Sequence, residues 1–348
     1  MKAERALLGM SGGVDSSVAA HLMQQTHICT GATMELYGDT SENISDARAV
    51  AEKLGMDFLI MDLRKEFEQS VIRAFIEAYE AGLTPNPCIR CNHTLKFGIL
   101  LDKALEAGFS CVATGHYAQI RQDPDTKRYL MYRAKDPKKD QTYFLAGLTQ
   151  HQLAHTCFPL GGLSKEEARA IAEEQGFINA RKRDSQDICF VPDGDYVAFM
   201  ERHTGKTYPS GNYLDMDGKV VGKHKGAVCY TIGQRKGLGI ALGAPAYVCK
   251  KDMQRNTVTL GPNEALFSNA LRAVDFNWIP FPALTEPMAV TAKIRHSQFD
   301  QNATVYPQED GSVHVVFETP QRAISPGQAV VLYSGDLVVG GGTIAEAL

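Results

Sequence analysis

Ser11-Gly12-Gly13-Val14-Asp15-Ser16-Ser17 stands between an apolar run, Arg5-Ala6-Leu7-Leu8-Gly9-Met10, and a segment in which Val14, Val18 and Leu22 recur at helical spacing. The run reads as a short buried strand and the spacing as an amphipathic helix, so the chain opens on strand, tight turn and helix. Glycines let the backbone close around a phosphate, the helix N-terminus turns its unpaired N–H groups and positive dipole end towards it, and serine hydroxyls add hydrogen bonds. A mere turn has no use for Ser11, Asp15 and Ser16, so their polar groups are expected to serve a ligand rather than the core. A Walker loop would carry Lys-Ser or Lys-Thr after its second glycine, and this stretch has no lysine.

Outward from the loop, residues 28–34 read as a second strand, 45–54 as a helix with Ala47, Val50, Ala51 and Leu54 inward, and 58–63 as a third strand. Helical patterns follow at 66–79 and 95–106, then a strand at 111–114. Alternation of this kind predicts an α/β fold: a doubly wound parallel sheet with helices on both faces. Ser164-Lys165-Glu166-Glu167 is a capping box, and Gly176 follows the end of its helix. At 348 residues the chain exceeds what one core usually serves, so further domains are expected. After residue 205 glycines crowd among short apolar runs, which predicts a small β-rich middle domain. From 266 onward, β-branched runs such as Val313 to Phe317 and Ala329 to Tyr333 lie between turns and predict a C-terminal β-barrel, a helical pattern returning only at the terminus. The expected division is 1–204, 205–265 and 266–348.

A composition of 44% hydrophobic and 22% charged residues excludes disordered and collagen-like classes. No apolar stretch reaches the length of a membrane span and no export signal precedes Ala6, so a cytoplasmic protein with no membrane partner is expected. A net charge of −4 argues against holding nucleic acid by bulk charge. Local charge differs: residues 35–80 carry eleven acids against five bases, 121–139 seven bases against three acids, and 219–255 eight bases against Asp252 alone. Two basic stretches beside an acidic one fit a polyanionic partner.

Eight cysteines are too sparse for a disulfide scaffold. Those at 29, 111, 157, 229 and 249 lie mostly in apolar or β-like runs and read as small core residues. Thr84-Pro85-Asn86-Pro87-Cys88-Ile89-Arg90-Cys91-Asn92 reads as a proline-stiffened loop presenting two thiols, and Asp184-Ser185-Gln186-Asp187-Ile188-Cys189-Phe190 presents a third. A structural zinc site would need two further ligands; His93 is too close in sequence and no second Cys-x-x-Cys exists.

The first loop resembles the pyrophosphatase loop of enzymes that split ATP between its α- and β-phosphates. With it, in order, come Met34, the Thr84 to Asn92 segment, Ala113-Thr114-Gly115-His116-Tyr117-Ala118, Lys139-Asp140-Gln141-Thr142-Tyr143-Phe144-Leu145, the Asp184 to Phe190 segment, Tyr230 to Gly239, Ser325-Pro326-Gly327-Gln328 and Gly340-Gly341-Gly342. The set resembles the tRNA-specific 2-thiouridylase family. The resemblance implies an adenine nucleotide hydrolase-like first domain and ATP-dependent thiolation at C2 of the wobble uridine in tRNAs for Lys, Glu and Gln. ATP adenylates the C2 oxygen, a persulfide attacks, and AMP leaves. It implies that Gly9, Met10, Ser11, Gly12, Gly13, Val14, Asp15, Ser16, Met34 and Gly115 hold ATP, with Mg²⁺ on the phosphates and Asp15 as a ligand. It makes Cys189 the persulfide carrier and Cys91 its partner in a transient disulfide. Asn86 and Pro87 match positions near the target base, and His116, Lys139, Asp140, Gln141, Arg295, His296 and Gln328 match positions that touch tRNA. The implied partners are tRNA and a sulfur-donor protein such as a cysteine desulfurase or relay.

Two departures stand out. Many members carry aspartate where this chain has Cys88, and Lys293 to Gln298 replaces an Arg-Tyr-Arg-Gln pattern. Cys88, Cys91 and Cys189 together also match a three-cysteine ligand set for a [4Fe–4S] cluster with one open iron, which would deliver sulfide instead of a persulfide. Two other readings remain: a small-molecule adenylating ligase, which needs no redox thiols, and a non-catalytic RNA-binding module, which leaves the phosphate loop idle.

Overall fold

The structure is a computed structural model that describes residues 4–182 and 188–348. Strands β1 (Arg5–Gly9), β2 (Ile28–Glu35), β3 (Asp57–Asp62) and β4 (Cys111–Thr114) lie parallel with a short strand, Thr156–Cys157, in the spatial order β3, β2, β1, β4, Thr156–Cys157. Helices cover both faces, which is why β1 is a continuous apolar run with Ala6, Leu7 and Leu8 at 2% exposure or less. The chain leaves β1 for β2 on one side and reaches β4 on the other. The C-terminal end of β1 is therefore the switch point where open α/β sheets bind ligands. Helix α1 (Val14–Gln24) starts there and buries Val14, Val18 and Ala19. The capping box forms as expected: Ser164 Oγ accepts from the Glu167 N–H at 3.1 Å, and Glu167 Oε2 accepts from the Ser164 N–H at 2.6 Å.

The expected loop at Thr84 to Asn92 is a helix from Pro87 onward. Asn86 Oδ1 accepts the Cys88 N–H at 3.1 Å, and proline fills the first helical position, where a missing N–H costs nothing. This thiol helix runs as α-helix over Pro87–Cys91, π-helix over Asn92–Ile99 and α-helix over Leu100–Glu106. Bonding from i to i+5 in the π segment sets Lys96 one turn beyond Cys91 on the same side.

Four strands form the middle sheet, in the order Tyr247–Asp252, Thr257–Gly261, Gly211–Leu214, Val220–His224. Six strands from Phe267–Trp278 to Leu337–Ala347 form a barrel, closed because the last pairs back on the first. The terminus is thus a strand where a helix was expected; pairing with both Ala329–Ser334 and Phe267–Trp278 outweighs its local preference. Its Gly340 and Gly342 lie against the backbone of Asn277 and Val274, too close for any Cβ.

The barrel docks on the first domain. A hairpin of that domain, Gln119–Gln122 with Tyr129–Tyr132, extends the barrel sheet through Tyr132 opposite Leu337. Asn277 donates to the carbonyls of Ala146 and Leu148 at 2.9 Å each, and Arg128 donates to Ile279 O at 2.9 Å. The Thr84 N–H donates to Pro326 O, and Gln328 Nε2 to Thr84 O, both at 2.8 Å. The barrel therefore fixes the backbone that leads into the thiol helix.

Candidate active site

Gly12 carries a φ of +73° and has Asn43 backbone against it, so no side chain fits there. Ser16 Oγ accepts from the Ser11 N–H at 3.2 Å and donates to Gly13 O at 3.0 Å, holding the turn closed beneath α1. Asn179, which the sequence gave no reason to single out, donates to Gly12 O at 3.0 Å and Ser17 Oγ at 2.9 Å. Its own Oδ1 is buried without a partner among the described residues. Gly9 ends β1, Met10 and Val14 are buried, and Met34 lies on β2 opposite Met61. A cleft of about 490 Å³ opens past β2, lined in part by Glu35, Ser41, Ser45, Arg48 and Arg64.

The lysine missing from the loop arrives from elsewhere. Lys165, the first residue of the capping-box helix, is 6% exposed and places Nζ 2.8 Å from both carboxylate oxygens of Asp15; the Tyr117 hydroxyl donates to Asp15 Oδ1 at 2.8 Å. Asp15 is thus committed to a cation of the protein and does not fit the expected role of magnesium ligand. Its expected independence of the core is corrected as well, since the ion pair ties α1 to a helix 150 positions on. Sequence could suggest Lys165 only as a capping-box residue.

Gly115 closes the far wall. A Cβ there would lie 2.6 Å from the Asp15 carbonyl carbon, so only glycine lets β4 meet the loop backbone. The next residue, His116, is wedged between Phe97 of the thiol helix and Phe158, with ring centroids at 5.7 and 5.8 Å, and its Nδ1 is 2.8 Å from Thr114 Oγ1. Burial, with Lys96 second, holds its pKa well below the ordinary histidine value, so the ring is neutral at neutral pH.

Three thiols share the other side of this wall. Cys88 and Cys189 are exposed and Cys91 is buried; none is in a disulfide. Desolvation by the surrounding protein atoms raises all three pKa values even where part of the residue faces solvent, with Cys189 pushed up to about 11 by desolvation first and by Cys91 and Cys88 next. Lys96 is the cation that opposes the shift in each case. Phe190, beside Cys189, is buried against Phe67, Phe75 and Phe199 at 5.2 to 5.6 Å and anchors that segment. Asp184 to Asp187 lie outside the described residues. Among the described residues no group of three His, Cys, Asp or Glu side chains is arranged around a single metal ion.

Several residues expected to touch tRNA have structural employment. Asp140 is buried and accepts from the Ala134 N–H at 3.0 Å and from Thr142 Oγ1 at 2.6 Å. Gln141 Oε1 accepts the Tyr117 N–H at 2.9 Å. Arg295 donates to Ala323 O and Ser325 Oγ inside the barrel, His296 stacks on Phe144 at 4.4 Å, and Gln328 holds Thr84. Pro87 is buried, Asn86 serves as the helix cap, and Lys139 is half-buried. Asp140, Gln141, Arg295, His296 and Gln328 thus each meet another part of the protein.

A parallel sheet with a glycine-serine loop at its switch point, a lysine paired with Asp15 of that loop and a thiol group one wall away define a nucleotide-dependent α/β enzyme, with two β domains appended. The chain matches the tRNA methyl transferase HUP domain over residues 4–193, the tRNA methyl transferase PRC-barrel domain over 197–262 and the aminomethyltransferase beta-barrel domain over 268–344. It is 49% identical to the tRNA-specific 2-thiouridylase MnmA of Acetivibrio thermocellus, covering 99% of this chain and 100% of that one. The enzyme of the same name from Halothermothrix orenii is 46% identical, over 99% of each chain. Among solved structures, a U34-tRNA thiolase NcsA from Methanococcus maripaludis with its [4Fe–4S] cluster aligns at 18% identity and a TM-score of 0.37, covering 58% of this chain and 68% of that one. The chain belongs to the tRNA-specific 2-thiouridylase family. Among the described residues no helix is long and apolar enough to cross a membrane.

Proposed function

We propose that this chain installs sulfur at C2 of the wobble uridine in tRNA, consuming ATP. The observation that carries the reading is the wall Thr114-Gly115-His116, which touches the phosphate loop through Gly115 and the thiol helix through His116. An adenylated base formed on one side can be met by sulfur from the other without leaving the site. Backbone N–H groups of the loop and α1 hold the phosphates, and Lys165 is placed to share its charge between Asp15 and a phosphate oxygen. Gly9 to Ser16, Met34 and Gly115 form the nucleotide side, Cys91 and Cys189 the sulfur side. The basic segment 121–139, on the hairpin beside the barrel, supplies phosphate contacts for tRNA, with Lys139 among them. A sulfur-donor protein reaches the site through exposed Cys189. Incubating the protein with tRNA, ATP and a sulfur source, followed by mass spectrometry of nucleosides, should yield 2-thiouridine with one AMP per sulfur. AMP formation with amino acids and none with tRNA would instead support a small-molecule ligase.

Cys88, Cys91 and Cys189 are also the residues that would hold a [4Fe–4S] cluster. Three neighbouring thiols whose pKa values are all raised, with Lys96 the opposing cation in each case, ionise with difficulty, and iron would supply positive charge there. A cluster also spreads its cysteine ligands wider than a single ion does. When bound, the group would supply an iron able to hold sulfur. We expect anaerobically purified protein to be brown and to carry about four irons per chain. Cys88→Ala should bleach it and stop thiolation together. Colourless, iron-free protein that thiolates tRNA normally would leave Cys91 and Cys189 to work alone by the persulfide route.

A further inference from the structure

We propose that Nε2 of His116 is the base that takes the N3 proton of the target uracil as its O2 is adenylated, and returns that proton when sulfur replaces the oxygen. This deepens the thiolation reading and rests on it.

The chemistry requires such a group. Attack of O2 on the α-phosphorus forms an O–P bond while the bond to the β-phosphate oxygen breaks and pyrophosphate leaves with that electron pair. As O2 gives up electron density the N3–H turns acidic, and its proton must go to a base for the neutral adenylated base to persist. Sulfur then bonds to C2 and AMP leaves with the C2–O2 electron pair. Where that sulfur is the outer atom of a Cys189 persulfide, the Cys91 thiolate attacks Cys189 Sγ, the S–S bond breaks with its electron pair going to the sulfur on C2, a Cys91–Cys189 disulfide forms, and N3 regains a proton. A single group that accepts in the first step and donates in the second ends as it began.

The geometry points to His116. It follows Gly115, which abuts the backbone of Asp15 and Ser16, and it packs on Phe97 of the helix that carries Cys88 and Cys91. It stands at the seam between phosphate and sulfur, where the base must lie for both steps. Thr114 Oγ1 lies 2.8 Å from Nδ1 and fixes the ring, with Phe97 and Phe158 on its flanks. Among the described residues no hydrogen bond engages Nε2, and the residue is part-exposed.

The neighbouring groups are spoken for. Asp15 is paired with Lys165, Asp140 is buried on Ala134 and Thr142, and the thiols are held protonated. Lys96 is the charged group facing the ring; with burial it keeps the imidazole neutral and ready to accept. A weak base suffices, because the N3–H is strongly acidified only as the O–P bond forms.

His116→Ala separates this role from tRNA contact. The variant should bind ATP and tRNA within about threefold of wild type, since a base contributes to the transition state rather than to ground-state binding. Pyrophosphate release should fall about a hundred- to ten-thousandfold, the usual worth of a positioned base. Added imidazole should restore part of the rate. A tRNA carrying 5-fluorouridine at the target position, whose N3–H is more acidic, should shrink the loss by at least about tenfold. His116→Gln, with ATP binding and thermal unfolding as controls for folding, should behave as the alanine variant but without imidazole rescue. A loss confined to tRNA affinity would overturn the proposal in favour of a binding contact. An equal loss with uridine and 5-fluorouridine would overturn it in favour of a structural role. Wild-type protein that makes no 2-thiouridine would remove the underlying functional reading instead.

Discussion

Cys189→Ser is expected to cut 2-thiouridine formation by at least about a thousandfold, equivalent to about 4 kcal/mol of barrier, while pyrophosphate release stays within about threefold of wild type. A hydroxyl can neither carry a persulfide nor ligate iron, so both sulfur routes fail at this position. Adenylation survives because the loop and Gly115 are built on the central strands and Lys165 on the capping-box helix, whereas Cys189 is anchored separately through Phe190 among Phe67, Phe75 and Phe199. Rapid-quench assays following labelled pyrophosphate and thionucleoside in the same sample resolve the two steps. Thionucleoside at the normal rate would show that sulfur reaches the base without this thiol.

The second large effect belongs to the buried pair below the phosphate loop. In Asp15→Asn the ammonium of Lys165, at 8% side-chain exposure, loses the Asp15 carboxylate. A fully buried pair broken in this way costs about 3 to 5 kcal/mol; with the Asp15 side chain 29% exposed, about 2 kcal/mol is expected, or a melting temperature lowered by roughly 4 to 8 °C. ATP-dependent thiolation should fall at least about a hundredfold, because the loop is held through this carboxylate. Asp15→Asn/Lys165→Met should regain most of the stability, since the buried ammonium is removed together with the carboxylate, yet stay inactive. Calorimetry and single-turnover assays on the two variants read both quantities. A single variant as stable as wild type would mean that the pair is already loosened in solution, and a double variant with restored activity would remove Lys165 from the site.

Local signals carried much of the fold and half of the site. Gly12 and the serines marked a tight strand-to-helix turn with more polar groups than a turn needs, and the capping box at Ser164 to Glu167 formed as its spacing implied. Asn86-Pro87 was an equally local signal, a cap followed by the residue best suited to the first helical turn, yet the two flanking prolines read as loop. The terminal strand was invisible because barrel closure decides it, and closure is a property of six strands together.

By itself the sequence determined what depends on near neighbours along the chain: the alternating elements of the first sheet, the loop chemistry, the three thiols and the family to which their order belongs. The tertiary structure alone decided which distant groups meet. Lys165 reaches Asp15 across 150 positions, Gln328 holds Thr84 across 244, and Asn179 supports Gly12 across 167. None of these pairs leaves a periodic trace, because a hydrogen bond between distant segments constrains one residue at each end and nothing between them. That same long-range packing sets His116 between phosphate and sulfur, where neither the spacing nor the composition of the chain marks it out.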